Sequence, residues 1–101
     1  MKLAVTIPQD AIEAFCRRHH LTQLAFFGSV LTDRFGPDSD IDVLFEYHTD
    51  HVPTLFDVAA MEAELSEILG RKADMRTARD LSRHSRDEVV REALIQYPAS
   101  F

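Results

Sequence analysis

The sequence predicts an α+β fold, a small mixed β-sheet packed with helices. Three observations carry that prediction. Leu24-Ala25-Phe26-Phe27 is apolar throughout, the pattern of a central strand covered on both faces. Asp40 to Phe45 is a second strand, reached through the turn-forming run Phe35-Gly36-Pro37-Asp38-Ser39. Between them and the C-terminal third, Leu55, Val58, Met61, Leu65, Ile68 and Leu69 recur at helical spacing and mark the clearest helix in the chain.

Taken in order, Pro8 suits the first turn of a helix whose apolar stripe is Ile12, Phe15, Cys16 and His19. Cys16 reads as a small core residue on that stripe, and His19-His20 as the helix end, where an imidazole complements the dipole. Tyr47 to Pro53 is a polar loop. His48 and His51 sit in it without a second pair of ligands, so they read as exposed loop residues and not as a metal site. Thr54 and Asp57 form a capping box at the start of the long helix, with Glu62, Glu64 and Glu67 on its solvated side and Gly70 at its C-terminal end. Ala73-Asp74-Met75 is a candidate third strand beside the second. Ser85-Arg86-Asp87-Glu88 reads as another capping box, opening a last helix with Val89, Val90, Ala93, Leu94 and Tyr97 on one face and Pro98 as its stop.

The 101 residues are read as one domain, with 46% hydrophobic and 28% charged residues, as in soluble globular proteins. No apolar run approaches the ~20 residues that span a bilayer. The early Thr6, Pro8 and Asp10 argue against a signal peptide. A lone cysteine excludes an internal disulfide and fits the cytoplasm. The net charge of −6 argues against direct nucleic-acid binding. That charge is uneven. Residues 1–70 hold four basic and twelve acidic residues, a net of −8, and residues 71–101 hold seven and five, a net of +2.

Chemistry concentrates at Gly28-Ser29 and, ten residues on, Asp40-Ile41-Asp42. Residues i and i+2 of a strand share a face, so Asp40 and Asp42 point the same way. Two such carboxylates repel unless a cation lies between them, and an oxygen-only donor set suits Mg²⁺ or Mn²⁺. Gly28 permits close backbone approach, and Ser29 is placed to cap a short helical turn near Val30-Leu31, leaving N–H groups for an anion. Phosphate at the turn and metal at the carboxylates describe a site for a metal–nucleoside triphosphate. If the third strand pairs with the second, Asp74 stands across the sheet from the Asp40/Asp42 pair at the ~5 Å strand spacing and completes three carboxylates. The plainer reading of Asp74 is an exposed acid paired with Arg71 or Arg76. Glu46, farther along the second strand, reads as a surface acid.

These residues resemble the minimal nucleotidyltransferase family of the DNA polymerase β superfamily, over roughly residues 24–97. The resemblance rests on Gly28-Ser29 and Asp40-Ile41-Asp42, within Pro37-Asp38-Ser39-Asp40-Ile41-Asp42-Val43-Leu44. It extends to Leu65-Ser66-Glu67-Ile68-Leu69-Gly70-Arg71-Lys72 before the third acid and to Glu92-Ala93 in the last helix. Relatives often carry Arg shortly after the Gly-Ser, where this chain has Leu31 and Thr32, with Arg34 the nearest Arg; their third acidic segment reads Val-Asp-Leu-Val, here Ala73-Asp74-Met75-Arg76. The resemblance implies a polymerase-β-like palm. It implies two Mg²⁺ ions on Asp40, Asp42 and Asp74, and ATP steadied by Gly28 and Ser29. It also implies AMP transfer to a tyrosine of a HEPN-type ribonuclease toxin, which is thereby neutralised. Two alternatives stand beside that reading, a non-catalytic antitoxin that covers its toxin and a small-molecule nucleotidyltransferase.

Overall fold

The computed structural model describes residues 6–98. The order of elements is α1 (Gln9–Arg18), β1 (Leu21–Phe27), a 3-10 turn (Gly28–Leu31), β2 (Ile41–Tyr47), α2 (Leu55–Leu69), β3 (Ala73–Arg76), a second 3-10 turn (Ala78–Asp80), α3 (Arg86–Glu92) and β4 (Leu94–Tyr97). The strands form one sheet in the order β3-β2-β1-β4. β1 is antiparallel to both β2 and β4, whereas β2 and β3 are parallel, so the sheet is mixed as the sequence predicts. The parallel pair needs a long crossover, and α2 supplies it.

Strand alternation decides what each sheet face does. Leu24 and Phe26 of β1, Ile41, Val43 and Phe45 of β2, and Ala73 and Met75 of β3 point into the main core. There they meet Ile12, Phe15 and Cys16 of α1 and Met61, Leu65 and Leu69 of α2. The alternate residues, including Ala25, Leu44, Asp42 and Asp74, belong to the opposite face. Only a small cluster covers that face, built by Ala25 and Leu44 with Leu81, Ala78, Val89 and Ala93. The two large helices are thus spent on one side, and the acidic residues stand on the other.

Capping chemistry fixes both ends of α2. The Thr54 hydroxyl accepts from the Asp57 N–H, and the Asp57 carboxylate accepts from the Thr54 N–H at 2.8 Å. Gly70 closes the helix in the left-handed region at φ 69°. Glu62 and Glu64 are not simply solvated. Glu62 accepts the Met75 N–H at 2.7 Å, and the Ser66 hydroxyl accepts the Ala73 N–H at 2.9 Å, so side chains of α2 satisfy the outer edge of β3. Glu64 pairs with Arg18 and His19 at the end of α1. Cys16 is fully buried, and burial pushes its thiol up to about 12, which makes it an inert core group.

The C-terminal third departs from the sequence prediction. The helix expected to run to Tyr97 stops at Glu92, and Leu94–Tyr97 is the edge strand β4. One edge of β1 is paired with β2, and the buried backbone of Leu24–Phe26 needs partners on its other edge. That requirement overrides an apolar spacing that fits a helix equally well. Ser85 also makes no side-chain cap: its backbone is already helical (φ −109°, ψ −10°), entered from a turn in which the Arg86 N–H donates to the Ser82 carbonyl at 2.8 Å.

Leu55 opens the predicted apolar stripe of α2 but lies in solvent at 88% exposure, whereas Leu65 is fully buried. Replacing Leu65 with Ala is expected to cost about 2–5 kcal/mol in urea unfolding. The same change at Leu55 is expected to stay within about 0.5 kcal/mol of wild type.

Candidate active site

The end of β1 and the start of β2 meet where the sheet turns over. Phe27 is the register partner of Asp42, so Gly28 follows directly beside the Asp42 side chain. Gly28 has φ 77°, and a β-carbon there would overlap the Asp42 carboxylate, lying only 3.2 Å from its carboxyl carbon. Glycine is therefore required twice, for its backbone conformation and for the space the carboxylate occupies.

On the far side of β2 the parallel register places Asp42 opposite Asp74. Both are on the open face and both are half-buried. The pairing expected for a third strand is present. So is the plainer expectation for Asp74: the Arg76 guanidinium, two residues along the same face, donates to its carboxylate at 3.1 Å. Asp40 lies one residue before β2 and not at its first position, with its carboxylate 3.9 Å from the Lys72 ammonium and largely exposed. Among the described residues, no three His, Cys, Asp or Glu side chains are gathered as a ready-made metal centre.

The charge on Asp42 is in an unfavourable place. Burial raises its carboxyl above the ordinary carboxylate range, the neighbouring charges of Asp74 and then Asp40 push the same way, and Arg76 partly offsets them. A half-buried acid whose neighbours are acids is what a bound cation relieves, so the donor set fits a hard divalent metal with oxygen ligands.

Ser29 lies inside the 3-10 turn, which Phe27 and not Ser29 precedes as the capping residue, and the turn has no side-chain cap. Thr32 closes the turn instead, its N–H and its hydroxyl both donating to the Ser29 carbonyl at 2.9 Å. Gly28 and Ser29 then form one wall of a cleft of about 780 Å³ whose opposite wall is α3. Phe27, Leu31 and Val89 give it apolar surface, and Arg34, Glu88 and Glu92 give it charge. Sequence reading placed none of the α3 residues at this turn, because α3 reaches it only through the tertiary fold. The Arg34 position, the nearest Arg after Gly-Ser, and Glu92-Ala93, part of the family resemblance, were the available signals.

Arg71, the other partner the sequence offers Asp74, is engaged elsewhere. Its guanidinium donates to the carbonyls of Gly36 and Ser39, the latter at 2.7 Å, and lies over the Phe35 ring at 4.4 Å. It thereby ties the connector that delivers Asp40 to the strand that delivers Asp74.

Two outcomes follow from this geometry. A carboxyl raised in the native state keeps its proton where the unfolded chain has lost it. Its contribution to stability is present below the unfolded value and is lost as pH rises through the native one. In chelator, Asp42→Asn is expected to melt higher than wild type at neutral pH and to lose that part of the decline, measured by thermal unfolding across pH. Gly28→Ala is expected to lose about 1–2 kcal/mol from its left-handed backbone alone. By displacing Asp42 it is also expected to abolish any thermal shift produced by metal and nucleotide.

The comparisons agree with this architecture. A model of the nucleotidyltransferase domain matches residues 9–99. The chain is 29% identical over 77 residues to "Putative protein adenylyltransferase MJ0435" of Methanocaldococcus jannaschii, covering 76% of this chain and 81% of that protein. A solved structure described as a "putative minimal nucleotidyltransferase" superposes with a TM-score of 0.70 at 32% identity, over 85% of this chain and 86% of that one. A toxin-antitoxin crystal structure with AMP-PNP superposes at 0.72 with 18% identity, covering 93% of this chain and 76% of its own, a likeness of fold. With a family model spanning nearly its whole length and a one-third-identical relative of the same architecture, this chain belongs to the nucleotidyltransferase domain family.

Proposed function

We propose that this nucleotidyltransferase is an antitoxin-type protein adenylyltransferase, moving AMP from ATP to a tyrosine hydroxyl of a HEPN-type ribonuclease toxin. The observation that carries the reading is the juxtaposition of Asp42 and Asp74 with the Gly28-Ser29 cleft. The relative's name, a protein adenylyltransferase, supports the reaction class. The fold shared with the toxin-antitoxin structures, MntA-HpeT among them, is compatible with the partner class.

In this reading Gly28 and Ser29 receive the phosphates, the backbone approaching closely because no side chain intervenes. The base lies between Phe27, Leu31 and Val89, and Glu88 or Glu92 accepts from its exocyclic amine. Asp40, Asp42 and Asp74 would hold Mg²⁺, as their all-oxygen donor set favours. When bound, Mg²⁺ neutralises charge on the triphosphate and on the entering oxygen. Asp74 takes the hydroxyl proton as the oxygen bonds to the α-phosphorus, and the bond to the β-phosphate oxygen breaks to release pyrophosphate. Arg76, relieved of Asp74, remains beside the acceptor.

The test is transfer of α-labelled AMP to the purified partner. Asp40→Ala with Asp42→Ala is expected to lower transfer about 10²–10³-fold, the several kcal/mol that charge neutralisation supplies at ~1.4 kcal/mol per decade. Full neutralisation of the toxin by that variant at equal expression would establish simple occlusion instead. Labelling of a free small molecule and not the protein would establish the third class.

A further inference from the structure

The carboxylates have a cleft on one flank and a groove on the other. Strand order puts Gly28 at the β1 side and Asp74 at the β3 side. The cleft beside Gly28 and Ser29 is the one assigned above to nucleotide. A separate groove of about 530 Å³ runs from Asp74 and Arg76 past Arg79 to Leu55 and Val58, at the first turn of α2. Leu55, which lines this groove, is 88% exposed, and near it in sequence Phe56 is 87% and Val52 63% exposed. Large apolar side chains this exposed, close together and adjoining a functional residue are the mark of a binding surface.

We infer that Leu55, Phe56 and the groove between them and Asp74 form the docking surface for the protein acceptor, which enters from the side opposite to nucleotide. The inference rests on the transferase reading and adds where its partner binds. The occupant is a protein segment with an apolar anchor for Leu55 and Phe56, a carboxylate for Arg79, and its hydroxyl directed at Asp74. Charge favours that occupant. Arg79 makes no ion pair among the described residues, and Asp80 is engaged in capping Thr77. On a chain of net charge −6 the groove is a place where a partner's acid is welcome. A second copy fits less well, because a two-fold contact over this groove seals the approach to Asp74.

The test uses a purified HEPN-type toxin as the acceptor, with the double variant Leu55→Glu, Phe56→Glu. Both positions are solvent-exposed in the first turn of a helix, where acids are tolerated or favoured, so the fold is preserved. The expected result is a KM for the partner raised by at least ~10-fold, as for loss of an apolar hot spot, with kcat at saturation and the MgATP-induced thermal shift unchanged. Hydrogen exchange in the wild-type complex is expected to slow over residues 52–58 and 74–80. Wild-type affinity in the variant, protection confined to other segments, or a wild-type homodimer dissociated by the variant overturns the inference. Absence of an MgATP shift in the wild type overturns the transferase reading instead, and partner binding by the variant still decides the docking surface.

Discussion

Everything in this molecule turns on a crowded carboxylate. Asp42 is hemmed in by Gly28 on one side and by Asp74 on the other, on a face of the sheet from which the large helices are absent. Neither neighbour is interchangeable. A side chain at Gly28 removes the room, and the acid at Asp74 makes the charge costly. The site is held against its own repulsion by the apolar residues behind it: Ile41 and Val43 flank Asp42 in sequence and are fully buried, as Ala73 and Met75 flank Asp74. Burial of those neighbours on the main-core side fixes register, and register fixes the carboxylates, since a slip of one residue would turn the acids into the core.

That dependence explains why the sheet is mixed. An antiparallel β1–β2 pair brings the end of one strand to the beginning of the next, which sets Gly28 beside Asp42. A parallel β2–β3 pair brings two strand beginnings together, which sets Asp42 beside Asp74. Neither pairing alone assembles all three. The crossover that permits the second pairing, α2, also covers the core and satisfies the exposed edge of β3 through Glu62 and Ser66. Structural and candidate functional demands are met by the same helix.

Much of this was legible in the chain because its signals are local. The Thr54–Asp57 box, the Gly70 stop and the apolar β1 depend on near neighbours; the box and the stop appear where the sequence places them, and β1 contains the expected Leu24–Phe27 but starts earlier, at Leu21. The pairing of Asp74 with Asp42 was also legible, since a short strand after a long helix has a natural place beside the strand before it. What failed was decided at long range. Leu94–Tyr97 has a helical spacing, but the open edge of β1 claims it. Leu55 has the period of a core residue, but it is the first residue of α2 and lies in water. The wall that α3 contributes to the cleft could not be read at all, because Val89 and Glu88 are some sixty residues from Ser29 and share no motif with it.

The same errors bear on function. A helix continuing to Tyr97 would have left β1 with an unpaired edge, whereas a helix ending at Glu92 frees the chain to close the sheet and leaves α3 seven residues long beside the Gly-Ser turn. The cleft is therefore a by-product of strand pairing: β4 takes the edge, and its antiparallel register holds the end of α3 near Phe27, across the cleft from Gly28. Likewise, α2 starts at the Thr54 capping box, and its first turn leaves Leu55 and Phe56 in solvent, available to another molecule. The two surfaces that flank the acidic pair thus arise from how the chain ends one strand and begins one helix, and a family that keeps the carboxylates could change either surface without disturbing the core.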